Sequence, residues 1–177
     1  MKKIEGNIVD VLSGRIFPGE IRVENGKIAE IKETETDVSD YIMPGFVDAH
    51  VHIESSMITP ELFGRVAAKH GTVAAVCDPH EIVNVLGREG FRFMLESGEK
   101  SPILLFFSVP SCVPATPFET SGACLEAEDI EELFTEYPRL KFLGEMMNFP
   151  GVTAGIPEVI AKTEVARRLG KKIDGHA

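Results

Sequence analysis

From Gly45 onward, short apolar runs rich in β-branched and aromatic residues alternate with longer segments whose apolar residues have helical spacing. The pattern predicts strands at 46–50, 73–77, 103–109, 142–144 and 172–174, and helices at about 60–70, 87–99, 127–137 and 157–169. Strands that alternate with helices form a parallel sheet covered by helices. Right-handed crossovers then leave two architectures, an open doubly wound sheet or a (β/α)8 barrel.

The first 42 residues have a different pattern, with short strands and tight turns. We predict strands at 3–11, 20–24 and 27–32, with a hairpin turn at Asn25-Gly26, because both residues tolerate a positive φ. A polar loop follows at 33–40, and Pro44-Gly45 marks a boundary. The sequence therefore predicts a small β domain over 1–42 and an α/β domain over 43–177.

The α/β series has five strands and four helices, whereas a (β/α)8 barrel needs about 250 residues. We therefore expect 43–177 to be the N-terminal part of such a barrel, truncated after its fifth strand. An incomplete barrel exposes strand edges and apolar surface. For that reason we expect a longer chain or an assembly, with a homo-oligomer as the form of the assembly.

Charge and composition exclude several classes of partner. Acidic residues outnumber basic ones by 28 to 18, and the net charge of −10 repels nucleic acid and anionic lipid. The three cysteines include no CxxC pair, and their odd number argues against a disulfide framework. Because the sequence contains neither a signal peptide nor a long apolar segment, we expect a cytoplasmic protein without a membrane partner.

Four residues of the types that bind metals stand at the ends of predicted strands. His50 and His52 end the first, Glu145 ends the fourth and His176 follows the fifth. Alternate residues of a strand point to the same side, so the two first-strand imidazoles converge and could form half of a metal site. A His-X-His tripeptide can also be incidental, and Glu145 could instead form a structural salt bridge.

These residues belong to longer motifs. The segment from Pro44 to His52, PGFVDAHVH, resembles the first-strand motif of the amidohydrolase superfamily. Further segments are similar, in order and spacing, to the bacterial-type adenine deaminases: HVHIESS at 50–56, CDPHEIVN at 77–84, GEMMN at 144–148 and DGH at 174–176. The resemblance covers the whole chain. It implies a small β domain that is part of a β-sandwich, joined to a TIM-like hydrolase barrel.

The resemblance also implies a centre of two divalent transition-metal ions, manganese or iron, with zinc as a further option. In it His50 and His52 would hold one ion, His176 the second, and Glu145 would bridge both. The implied reaction is hydrolytic deamination of adenine to hypoxanthine and ammonia by a metal-activated hydroxide, in purine salvage or adenine catabolism. The family's main acid/base Asp lies beyond residue 177, so we expect the isolated segment to be inactive.

Four further polar residues follow the first and second strands, where a barrel enzyme builds its substrate pocket. They are candidate substrate-binding residues: Glu54, Asp78, His80 and Glu81. A structural role is an equal alternative, because Asp78-Pro79 forms a good turn and Glu81 suits the first turn of a helix.

Two other functions are compatible with the sequence. One is an amidohydrolase that acts on a cyclic amide or an N-acyl group, which would release a carboxylate in place of ammonia. The other is a non-catalytic scaffold, which would have no reason to hold a transition metal.

Overall fold

The structure is a computed structural model that describes residues 2–116 and 118–176. Its contacts divide the α/β chain into two compact units, Met1–Gly45 and Phe46–Ala177. None of the helices in the described residues is long and apolar enough to cross a membrane.

The first unit is a four-stranded sheet. Its strands are β1 (Lys2–Asp10), β2 (Arg15–Glu24), β3 (Lys27–Glu33) and β4 (Tyr41–Ile42), in the order β3-β2-β1-β4. The β1–β2 and β2–β3 pairs are antiparallel, whereas β4 runs parallel to β1. Asn25 and Gly26 have φ values of 50° and 74°, so the predicted hairpin turn is confirmed.

The second unit alternates strands with helices. Its elements are β5 (Phe46–Val51), α1 (Pro60–Ala68), β6 (Thr72–Cys77), α2 (His80–Gly98), β7 (Leu104–Phe107), α3 (Ala127–Glu136), β8 (Phe142–Met146), α4 (Phe149–Thr153), α5 (Pro157–Arg168) and β9 (Lys172–Gly175). A 3-10 turn at Ile53–Ser56 follows β5. Strands β5, β6 and β7 form one parallel sheet, and β8 and β9 form a second parallel pair. A parallel bridge between Val109 and Leu143 links the chain after β7 to β8.

The core of this unit lies between the strands and the helices that cover them. Phe91, Met94 and Leu95 of α2 are buried together with Phe107 of β7 and Leu143 of β8. Burial of such side chains is the main favourable term in folding. Because the strands are parallel, this packing brings their carboxyl ends to the same edge of the unit.

Two helices of the second unit differ from the sequence-based prediction. The second helix was predicted to begin at residue 87, but α2 begins at His80 and is interrupted at Gly87, whose φ is 58°. The short helix α4 was not predicted, although Asn148 caps it by accepting a hydrogen bond from the Gly151 N–H. Helical spacing cannot be recognised in a segment of five residues that contains both Pro and Gly.

Candidate metal centre

The polar residues named from the sequence lie at the carboxyl ends of the strands in the second unit. We call the following four the candidate metal centre: His50 of β5, His52 directly after it, Glu145 of β8 and His176 directly after β9. Asp78 and His80 lie beside them, between β6 and the first turn of α2. Parallel pairing places these strand ends next to one another.

Glu145 is the central group of this centre. Its side chain is 7% exposed, and its Oε1 lies 3.3 Å from His52 Nε2. Its Oε2 lies 3.7 Å from His50 Nε2 and 2.7 Å from His176 Nδ1. The Nε2 atoms of His50 and His52 are 3.1 Å apart. A buried carboxylate needs a charged or hydrogen-bonding partner. His176 Nδ1 lies within hydrogen-bond distance, and the Nε2 atoms of His50 and His52 converge on the same carboxylate.

Hydrogen bonds on the far side of the His50 and His52 imidazoles orient them. His52 Nδ1 lies 2.9 Å from the carbonyl oxygen of Asp78, and His50 Nδ1 lies 3.0 Å from Asp174 Oδ2. Since a carbonyl or carboxylate oxygen accepts, the proton is assigned to each Nδ1. Both Nε2 lone pairs then face Glu145, which is the arrangement that metal-binding histidines commonly have.

A second group of possible ligands shares Glu145. His80 Nδ1 lies 3.7 Å from Asp78 Oδ2 and 3.8 Å from Glu145 Oε1. Asp78 is only 3% exposed, and its Oδ2 accepts a 2.8 Å hydrogen bond from the Glu145 N–H. Among the described residues, Asp78 Oδ1 and His80 Nδ1 have no hydrogen-bond partner. Unpaired buried polar atoms beside a carboxylate suit a bound cation.

The charge around His80 is strongly negative. Burial disfavours the charged imidazolium, but Asp78, Glu145 and Glu54 outweigh it and raise the pKa of His80 above its usual value. Neighbouring carboxylates stabilise the positive charge of the protonated imidazole. The same negative potential would stabilise a divalent cation.

Glu54 and Glu81 have structural partners. Glu54 Oε1 accepts hydrogen bonds of 3.1 and 3.3 Å from the N–H groups of Glu81 and Ile82, at the start of α2. Burial raises the pKa of Glu54. The Glu81 carboxylate accepts a bond of 2.7 Å from the Ser55 hydroxyl. Glu54 therefore fixes the start of the helix that carries His80. Substrate binding by Glu54 or Glu81 stays a prediction.

A cavity of about 260 Å³ opens beside His80. We call it the side cavity, and its lining residues are His80, Glu81, Asn84, Cys112, Ala115 and Glu119. Two polar residues near the centre were missed by the sequence analysis, Asp174 and Asn84. The two-residue spacing of Asp174 and His176 is a signal that could have indicated Asp174, whereas no local pattern marks Asn84.

A profile of the amidohydrolase family matches residues 41–177, and the chain belongs to this family of hydrolases that use divalent metals. The chain is similar over its whole length to an adenine deaminase of Methanosarcina mazei, at 59% identity over 177 residues and 32% of that protein. It is also similar to adenine deaminases of Sulfurovum sp., at 53% identity over 99% of this chain, and of Parabacteroides distasonis, at 51% over 98%. These alignments cover 33% and 32% of the two proteins, so the chain spans about a third of the length of these relatives.

Proposed function

We propose that a protein of the relatives' length that contains this segment catalyses the hydrolytic deamination of adenine to hypoxanthine and ammonia. The observation that carries the proposal is the convergence of His50, His52 and His176 on the buried carboxylate of Glu145. The identity of 51–59% to proteins named adenine deaminase supports adenine as the substrate.

The donor set fits divalent transition metals. His50 and His52 would hold one ion, His176 would hold another, and Glu145 would bridge them, with manganese or iron as the metal and zinc as a further option. The unpaired buried atoms of Asp78 and His80 add oxygen and nitrogen donors at the same place. When bound, such ions lower the pKa of water towards neutrality and so supply the nucleophile.

The chain's own residues orient the reacting groups. The hydrogen bonds from His50 to Asp174 and from His52 to the Asp78 carbonyl keep both Nε2 atoms directed inward. The Asp78 carboxylate fixes the backbone of Glu145. Positioning of this kind lowers the activation barrier because the catalytic groups need no rearrangement. The acid/base Asp of the family would come from a later strand.

We propose that the second unit is the first part of a (β/α)8 barrel. Strands β5, β6 and β7 pair in chain order, as do β8 and β9, and a parallel bridge links the chain after β7 to β8. Large apolar side chains on these strands are exposed, among them Phe46, Val47, Leu104 and Phe106, and further strands would cover such residues. The first unit would be part of a β-sandwich. A cytoplasmic location, a homo-oligomer and the lack of nucleic-acid or membrane partners stay predictions.

The proposed reaction is tested by incubating the metal-loaded protein of full length with adenine, and separately with a panel of cyclic amides and N-acyl compounds. Release of ammonia together with hypoxanthine supports the proposal. Release of a carboxylate from a cyclic amide, without ammonia from adenine, would assign the same centre to an amidase. A protein that holds no transition metal and acts on neither would be a scaffold.

A further inference from the structure

The side cavity is lined by a carboxamide whose oxygen has no hydrogen-bond partner among the described residues. Asn84 lies in α2, and its Oδ1 is buried with no partner among the described residues. Its backbone carbonyl accepts a 2.9 Å bond from the Gly122 N–H, which holds the following loop against the helix. The position of Asn84 in the cavity wall is therefore fixed. A buried acceptor without a partner destabilises the fold, and such atoms often bind a ligand.

The location of Asn84 relates the cavity to the candidate metal centre. Asn84 follows His80 by four residues, so the two side chains lie on the same face of α2, about one 5.4 Å turn apart. His80 lies 3.8 Å from Glu145, and His80 and Asn84 both line the side cavity. A ligand that reacts at the centre can therefore extend along α2 towards Asn84.

The charge of the cavity restricts the ligand. Glu81 and Glu119 contribute carboxylates, and none of the described lining residues is Lys or Arg. Negative charge disfavours a phosphate or another anion. The cavity therefore favours a neutral base over a nucleotide.

A carboxamide offers an acceptor and a donor side by side, and either orientation of the amide keeps this pair. The N3 and N9–H edge of an unsubstituted purine is complementary to it, with one acceptor beside one donor. This edge lies opposite C6, the reacting carbon, and a sugar on N9 removes its donor. We infer that Asn84 binds the N3/N9–H edge of the purine and selects the free base over its 9-substituted derivatives. This inference rests on the proposed function.

The test measures binding to the metal-loaded protein of full length by calorimetry, with hypoxanthine and 9-methylhypoxanthine as probes that do not turn over. In the unchanged protein we expect hypoxanthine to bind about tenfold more tightly than its 9-methyl derivative, as the loss of one hydrogen bond predicts. Asn84→Leu removes both hydrogen bonds to hypoxanthine and the N3 bond that remains to 9-methylhypoxanthine, so it should weaken hypoxanthine binding about tenfold more than 9-methylhypoxanthine binding and make the two affinities equal. Metal content should not change.

The matched control is Glu89→Leu, a change on the same helix at a side chain that is 70% exposed. If Asn84→Leu does not fold, Asn84→Asp gives a near-isosteric variant that keeps the acceptor for N9–H but cannot donate to N3, so it should weaken the binding of both probes about tenfold and keep the preference for hypoxanthine. A preference that is unchanged in Asn84→Leu, undiminished binding of both probes in Asn84→Asp, or equal affinities in the unchanged protein would overturn the inference. Absence of binding by both probes would overturn it as well.

Adenine turnover by the unchanged protein is measured in parallel, and it separates the two claims. Protein that binds hypoxanthine through Asn84 but releases no ammonia from adenine would remove the proposed reaction and keep the base-binding role. Protein that releases ammonia but has an unchanged preference in Asn84→Leu would keep the reaction and remove the role of Asn84.

Discussion

The backbone N–H of Glu145 donates a 2.8 Å hydrogen bond to the buried carboxylate of Asp78. The two residues are 67 positions apart in the chain, and the bond connects the end of β6 to β8. It determines where the Glu145 carboxylate lies relative to His50 and His52. Asp78 thus supports the candidate metal centre even without contacting a metal itself.

Replacing Asp78 with Asn should weaken metal binding. The amide can still accept the hydrogen bond from Glu145, but the negative charge that favours a cation is lost. We expect the affinity for Mn²⁺ to fall by about 10–100-fold, the usual effect of changing a supporting residue. Calorimetric titration of the metal-free protein measures it, with Asp37→Asn in an exposed loop as the control. Equal affinities in the two variants would show that Asp78 has no such role.

Gly144 is required for the close approach of Asp78. A Cβ at Gly144 would lie 2.6 Å from Asp78 Oδ2, which is too close for any side chain. Gly144→Ala should therefore lower the free energy of unfolding by about 1–3 kcal/mol. Gly175→Ala is the control, because a Cβ there would meet no atom within 4 Å. Equal free energies of unfolding in the two variants would contradict the close packing of Gly144 against Asp78.

The pH dependence of the stability of the metal-free protein should reflect the titration of His80. Its pKa is raised in the folded state because the carboxylates of Asp78, Glu145 and Glu54 outweigh the opposing effect of burial. The protonated residue therefore stabilises the fold fully below the unfolded pKa, and this contribution is lost as the pH rises through the higher folded pKa. An NMR titration of the His80 imidazole should give a value above 6.5, and Glu145→Gln should lower it. A value below 6.5 would mean that burial dominates.

The cysteines should differ in reactivity. Burial raises the pKa of Cys77 to about 12, so its thiolate is scarce at pH 8. Cys124 is exposed, although its hydrogen bond to Glu126 also raises its pKa. A thiol reagent should modify Cys124 first and Cys77 only after unfolding, as measured by mass spectrometry of peptides. Rapid modification of Cys77 in the folded protein would contradict its burial.

Much of the second unit could be predicted from the sequence because its signals are local. Apolar runs bounded by turn residues predicted each of the five strands to within a few residues, and the His50-Val51-His52 spacing indicated two converging imidazoles. The start of α2 was missed since Asp78-Pro79 resembles a simple turn and Gly87 resembles a boundary. Gly87 does break the helical geometry, but packing of the flanking residues continues the element through it.

The contacts that orient the centre could not be predicted. The bond between His50 and Asp174 joins residues 124 positions apart, and it depends on how β5 and β9 meet in three dimensions. The unpaired amide oxygen of Asn84 is likewise visible only when its surroundings are known. Local patterns indicated which residues could bind a metal, whereas tertiary structure was needed to show what orients them.

The central claim is that the imidazoles grouped around Glu145 hold the metals that activate water. The most direct test compares metal content and ammonia release from adenine in the unchanged protein of full length and in a His50→Ala, His52→Ala double variant. We expect the unchanged protein to hold transition metal and release ammonia, and the variant to lose both together. A variant that keeps its full metal content and still deaminates adenine would show that the catalytic centre lies elsewhere.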